Sequence, residues 1–130
     1  PAGALGLMQV MPRTGRQTAK ELNLRWRGNN TLINPSTNIR IGSYYLAKQL
    51  ERFGHPALAA AAYNAGPHRV KQWMPDESMP LDAWVASIPF TETRNYVQRV
   101  LSAQVIYEWR YNDGITRLES VAASQITKKE

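Results

Sequence analysis

Leu58-Ala59-Ala60-Ala61-Ala62-Tyr63-Asn64-Ala65-Gly66-Pro67 decides how the rest of the chain must pack. Four consecutive alanines favour helix and carry no long side chains, so neighbouring helices can approach closely and from more than one side. The stretch therefore reads as a central, buried helix. Tyr63 and Asn64 put a phenol and an amide at its C-terminal end, and Gly66-Pro67 stops it just beyond them. Polar groups held at the end of a rigid buried helix are well placed to line a site. On composition alone the plainer reading comes first, a core tyrosine with a satisfied hydroxyl and a C-terminal cap.

On the N-terminal side, Asn34-Pro35 is a helix start, with the amide as cap and proline at the first helical position. Ile39, Gly42, Leu46, Leu50 and Phe53 recur at intervals of three or four, and Gly54 closes the run, which predicts a long amphipathic helix. The short His55-Pro56 turn makes it an antiparallel partner of the alanine helix. Further upstream, Gly3 to Pro12 is apolar and glycine-punctuated, and Gln9 is its one polar side chain. That amide either bonds nearby backbone or is presented to a ligand. Pro12 opens a helix to about Leu22, with Ala19 and Leu22 inward, and Arg25 to Asn34 reads as a polar loop.

On the C-terminal side, His68 to Trp73 adds a turn or two, and Pro75 to Pro80 is a loop. A short helix follows over Leu81 to Ile88, with Trp84, Val85 and Ile88 on one side. Thr91 can cap the last long helix, with Glu92 in its first turn complementing the macrodipole. Tyr96, Val97, Val100, Leu101, Gln104 and Tyr107 carry it to about Tyr111, and Asn112-Asp113-Gly114 stops it. Residues 115–130 read as a polar tail. No stretch alternates convincingly as a strand, so the expected class is all-α, five or six helices around the alanine segment.

A chain of 130 residues with 43% apolar and 20% charged residues suits one soluble globular domain. No apolar run approaches the roughly 20 residues that span a bilayer. No basic-then-apolar signal segment opens the chain, which begins at Pro1 rather than methionine, so export stays open. The absence of cysteine excludes disulfides and thiolate chemistry, and the two histidines, His55 and His68, lack partners at metal-ligand spacing. A net charge of +6 favours an anionic partner: nucleic acid, an acidic lipid face or an acidic cell-wall polymer.

Three blocks then stand in order: Gly3-Ala-Leu-Gly-Leu-Met-Gln-Val-Met-Pro12, Ala61-Ala-Tyr-Asn-Ala-Gly-Pro67 and Ser87-Ile-Pro-Phe-Thr-Glu-Thr-Arg-Asn-Tyr-Val97. Together they closely resemble the catalytic domain of the soluble lytic transglycosylases, bacterial peptidoglycan-cleaving enzymes on a goose-lysozyme-like helical fold. The Asn34-Pro35 start with Asn38-Ile39 and Gly42 fits the same family, and the resemblance covers residues 1–114, leaving 115–130 as the tail. It implies cleavage of the bond between N-acetylmuramic acid and N-acetylglucosamine, leaving a 1,6-anhydromuramyl end, with no metal or organic cofactor. It also implies a periplasmic or cell-envelope location, peptidoglycan as partner, no nucleic acid, no membrane span and a monomer.

By the same resemblance, Gln9 and Met11 contact sugar, Tyr63 orients the general-acid glutamate, Asn64 lies beside it, and Glu92 lines the opposite wall. The family's general acid stands in a Glu-Ser helix upstream of the Gly-Leu-Met-Gln block, so it is expected before Pro1, and residues 1–130 alone are expected to be inactive. None of Glu21, Glu51 or Glu77 has a matching context. Trp26, Trp73, Trp84 and Trp109 can stack on sugars or pack in a core. Two other readings compete: a non-catalytic peptidoglycan-binding module, and a basic helical nucleic-acid binder suggested by Arg13, Arg16, Arg25 and Arg27. The second lacks a helix-turn-helix pattern.

Overall fold

A computed structural model describes residues 2–111 and 124–127. The chain divides between Lys48 and Gln49 into two compact units. Seven helices occur among the described residues: α1 (Pro12–Glu21), α2 (Asn30–Ile33), α3 (Pro35–Phe53), α4 (Pro56–Ala65), α5 (Pro67–Trp73), α6 (Leu81–Ser87) and α7 (Thr91–Tyr111). The segment expected to be a polar loop, Arg25 to Asn34, contains the single turn α2. Four residues are too few to show a period, and burial of Leu32 is what holds them.

The first unit is stitched together by a buried amide. Leu5 and Val10 exchange two backbone hydrogen bonds at 3.0 Å, closing a tight loop over residues 5–10. Asn38, fully buried in the first turns of α3, donates through Nδ2 to the Leu5 and Leu32 carbonyls, each at 2.9 Å. Its Oδ1 accepts from the Met8 N–H at 2.8 Å. One side chain thus satisfies three backbone groups, two in the loop over residues 5–10 and one in α2. Glycine supplies the necessary closeness at two points. A Cβ on Gly6, where φ is +74°, would lie 2.6 Å from the Leu32 carbonyl oxygen, and one on Gly42 would lie 2.6 Å from Met8 Sδ. Val10, Ala19, Leu32 and Ile41 form a small core beside this arrangement.

The second unit is built on α4. Residues 57–62 are all buried, so α4 is covered on every side, as the alanine run requires. α4 packs against α5 and α7, and α6 packs against α7. Trp84, Leu81, Ile88, Val70 and Val97 fill the space between them. The indole N–H of Trp84 donates to the Trp73 carbonyl at 3.0 Å, which lets a large buried ring keep its polar atom satisfied. His55 caps α4 by accepting the Ala57 N–H on Nδ1 at 3.0 Å. Gly66 ends it with φ +97°, a conformation that favours glycine.

Within the span read as a polar tail, 124–127 are described and 115–123 and 128–130 lie outside the described residues. β2 (Gln125–Ile126) pairs antiparallel with β1 (Met79–Pro80), and Ile126 is buried in the core of the second unit. Two-residue strands are too short for alternation to reveal.

The long helix α3 has its predicted extent but only part of its predicted face, since Gly42 is buried and Phe53 packs against the core of the second unit. Ile39, Leu46 and Leu50 are 46%, 36% and 44% exposed, whereas Asn38, Ile41, Gly42 and Gln49 are buried. The buried stripe carries two amides, so counting apolar residues placed Ile39, Leu46 and Leu50 inward when they face outward.

Candidate functional site

The candidate residues fall into two sets, one in each unit. In the first unit, Gln9 sits at the end of the Asn38-held turn in a left-handed conformation, φ +51°. Its side chain is exposed, and Nε2 donates to the Gly6 carbonyl at 2.9 Å. The plainer alternative for this amide, a bond to nearby backbone, is therefore present. That bond uses one of the amide's two hydrogens and leaves its oxygen out of the contact. Met11 immediately precedes α1 and is 38% exposed, so it is a surface side chain and not core.

In the second unit, Tyr63 and Asn64 occupy the last turn of α4 and are partly buried. Asn64 is not the helix cap, a place taken by Gly66. Its Oδ1 instead accepts from the buried Thr93 hydroxyl at 2.7 Å, which fixes the amide's orientation against α7. Glu92 precedes Thr93 in the first turn of α7 and is exposed. Arg94 in the same turn donates to the Ile88 carbonyl at 2.8 Å and ties α7 to the end of α6. The segment Ile88 to Arg94 is thereby clamped at both ends.

Two residues escaped sequence reasoning as positioning groups. Asn38 stood out only as part of the Asn38-Ile39 match to the family, and Thr93 only as the last residue of Thr91-Glu92-Thr93 in the third block. Each is a buried polar side chain whose value lies in long-range partners, which a linear pattern does not display. Among the other carboxylates, Glu21 is held by Lys48, whose Nζ lies 2.8 and 2.9 Å from its two oxygens. That contact lowers the Glu21 pKa below the ordinary carboxylate value and keeps the group ionised. The tryptophans divide: Trp84 is buried, Trp73 packs edge-on to Phe90 at 5.2 Å, Trp26 is partly buried in the first unit, and the Trp109 side chain lies outside the described set. No described helix is long and apolar enough to cross a membrane.

The transglycosylase SLT domain model matches residues 1–82, which hold the Gln9 turn and the whole of α4. This chain belongs to that family. The soluble lytic transglycosylase helical domain model matches residues 87–113, the segment containing Thr93. Among SLT-family relatives, the soluble lytic murein transglycosylase of Salmonella typhimurium is 46% identical over 82% of this chain. That of Escherichia coli K12 is 40% identical over 92%. The chain spans 17% and 19% of these two relatives, less than a fifth of their length.

Solved SLT structures agree. The 70 kDa soluble lytic transglycosylase in complex with bulgecin A superposes with a TM-score of 0.81 at 36% identity, over 97% of this chain and 21% of the other. An inactive Glu-to-Gln mutant of lytic transglycosylase Slt from Pseudomonas aeruginosa gives a TM-score of 0.77 at 44% identity, over 89% of this chain and 20% of that one. The mostly helical, lysozyme-like architecture is that of this family.

Proposed function

We propose that residues 1–130 are the glycan-binding body of a murein lytic transglycosylase, acting in the bacterial periplasm or cell envelope, and that residues 1–114 form the lysozyme-like domain. The observation that carries this reading is the backbone at Gln9. A long side chain at φ +51° is costly where glycine would be cheap, and such cost persists where the surroundings enforce it for a purpose. Here Asn38 enforces it, and the result is an exposed amide in the Gly-Leu-Met-Gln block.

In the proposed complex Gln9 hydrogen-bonds a sugar of the murein strand and Met11 packs against a sugar face. Tyr63 positions the general acid through its hydroxyl, and Asn64, oriented by Thr93, donates from the end of α4. Glu92 lines the site at the start of α7. The acid is a glutamate on a helix preceding the Gly-Leu-Met-Gln block, outside residues 1–130. It gives its proton to the oxygen between N-acetylmuramic acid and N-acetylglucosamine, so that this bond breaks and the glucosamine leaves with a free hydroxyl. The resulting carboxylate then takes the proton of the muramyl 6-hydroxyl as its oxygen closes on the anomeric carbon, leaving a 1,6-anhydro end. Glu21, held ionised by Lys48, is unsuited to be that acid, and a Glu-to-Gln exchange accompanying inactivity in the Pseudomonas aeruginosa relative supports a glutamate in the role.

The test is a murein digest analysed by mass spectrometry, comparing residues 1–130 with a form extended upstream through the Glu-Ser helix. Anhydromuramyl products from the extended form alone are expected. Products from residues 1–130 would place the acid within them and turn attention to Glu92. Binding without products from either form would make the chain a murein-binding module.

A further inference from the structure

The net charge of the chain is carried by one unit. Residues 1–48 hold seven Lys and Arg and a single acid, Glu21, while residues 49–130 hold nine of each sign. Lys48 occupies Glu21, so Arg13, Arg16, Lys20, Arg25, Arg27 and Arg40 have no carboxylate within the first unit to neutralise them. Five of these six line two neighbouring clefts. The larger, about 750 Å³, runs between α1 and the segment that follows it and is lined by Arg13, Arg16, Lys20, Leu24 and Trp26 among others. The smaller, about 440 Å³, shares Leu24 and is lined by Arg25, Arg27, Asn34 and Thr37 among others. Among the described residues, no carboxylate lines either cleft.

This placement works against the start of the helix that bears it, while Lys20 in the last turn suits the macrodipole. Arg13 stands in the first turn of α1, where no acid offsets it and the macrodipole disfavours a cation. Arg13 and Arg16 are three residues apart and Arg16 and Lys20 four, spacings at which like charges repel on a helix. A helix that gathers cations on one face at the expense of its own stability has been shaped for something other than stability. Leu24 and Trp26 add an apolar wall between the two sets of cations.

We infer that these paired clefts bind the carboxylates of an acidic peptide, the peptide stem of the murein strand, next to the sugar-contacting Met11, whose neighbour Pro12 lines the larger cleft. The inference rests on the reading of the chain as a murein-binding domain. A stem peptide carries several carboxylates separated by short aliphatic stretches, which matches cations on either side of an apolar wall. A bare phosphate polymer would have no use for Leu24 and Trp26.

The experiment measures binding of residues 1–130 to four probes: a murein glycan oligomer with its stems, the same glycan with stems removed by an amidase, the free stem peptide, and a DNA duplex. The variants are Arg16→Gln, Arg27→Gln and their combination, with Arg99→Gln in the second unit as control and circular dichroism to check folding. Removal of the stems should weaken binding about tenfold, each single variant should weaken stem-bearing glycan about three- to fivefold, as for an exposed ion pair, and stem-free glycan should be bound equally by all variants. Added salt should reduce only the stem-dependent part. Equal affinity for glycan with and without stems overturns the inference and leaves the glycan reading standing. If neither glycan binds, the glycan reading fails, and the free stem peptide decides the clefts: binding sensitive to Arg16→Gln supports them, and no binding overturns them. DNA bound as tightly as the stem peptide overturns the inference in favour of an unselective cationic surface.

Discussion

The two units reach order by opposite means. The first, residues 1–48, is short of apolar core and held by polar stitching: one buried amide, Asn38, bonded to three backbone groups, and glycines that let chain segments touch. The second is held by burial: an alanine helix covered on all sides, with Trp84 and Ile126 packed into the same core. The first holds the surplus charge and the second is balanced. Polar stitching fixes a loop such as that at Gln9 with hydrogen bonds whose geometry is directional, while burial provides most of the stability that rigid positioning needs. The two sets of candidate site residues therefore depend on different physics, and substitution should separate them.

The largest loss is expected from Trp84→Ala, about 3–5 kcal/mol by calorimetric or denaturant unfolding, because a fully buried ring is replaced by a cavity. The Trp73 carbonyl would also lose its indole donor. Asn38→Leu should come next, at about 2–4 kcal/mol, although it adds apolar volume, since the Met8 N–H and the Leu32 carbonyl lose the amide that pairs them and the Leu5 carbonyl loses one of its two donors. If Asn38→Leu were neutral, the contrast between the units would collapse. Gly42→Ala is expected to cost about 1–3 kcal/mol through its collision with Met8, and should disturb the NMR resonances of residues 5–10 more than those of α4.

Smaller effects sharpen the contrast. Thr93→Val should cost about 1 kcal/mol and release the Asn64 amide, lowering glycan affinity with little effect on the melting of the first unit. His55 supplies a pH test. Burial lowers its pKa from the ordinary 6.5, and its Nδ1 must stay unprotonated to cap α4. The unfolded chain therefore binds the proton more readily than the folded one. Stability should fall as pH drops through about 6.5 and level off below the folded value, while His55→Asn keeps a cap and flattens the profile. Least of all, Glu21→Gln should cost under about 1 kcal/mol, because the Glu21–Lys48 pair is exposed to solvent.

Helix positions were legible wherever apolar period, proline and glycine agreed. α4, α6 and α7 follow the sequence reading within a residue or two. α3 was legible in length and only partly in direction: Gly42 and Phe53 face inward as expected, but Asn38 and Gln49 are buried while Ile39 and Leu50 are exposed. A stripe containing amides is invisible to a count of apolar residues. The blocks around Gln9, Tyr63-Asn64 and Glu92 stood out by content and order, but their support did not. Thr93 reaches Asn64 across 29 positions and Asn38 reaches Met8 across 30, and nothing local in the chain announces either bond.

Enclosure of α4 has a kinetic counterpart. The amides of Ala59 to Ala62 lie in a helix with no solvent-facing side, so no local fraying can expose them to exchange without displacing α5 and α7. Their deuterium uptake should follow the global opening of the second unit, making four adjacent alanines a built-in gauge of how often that unit comes apart.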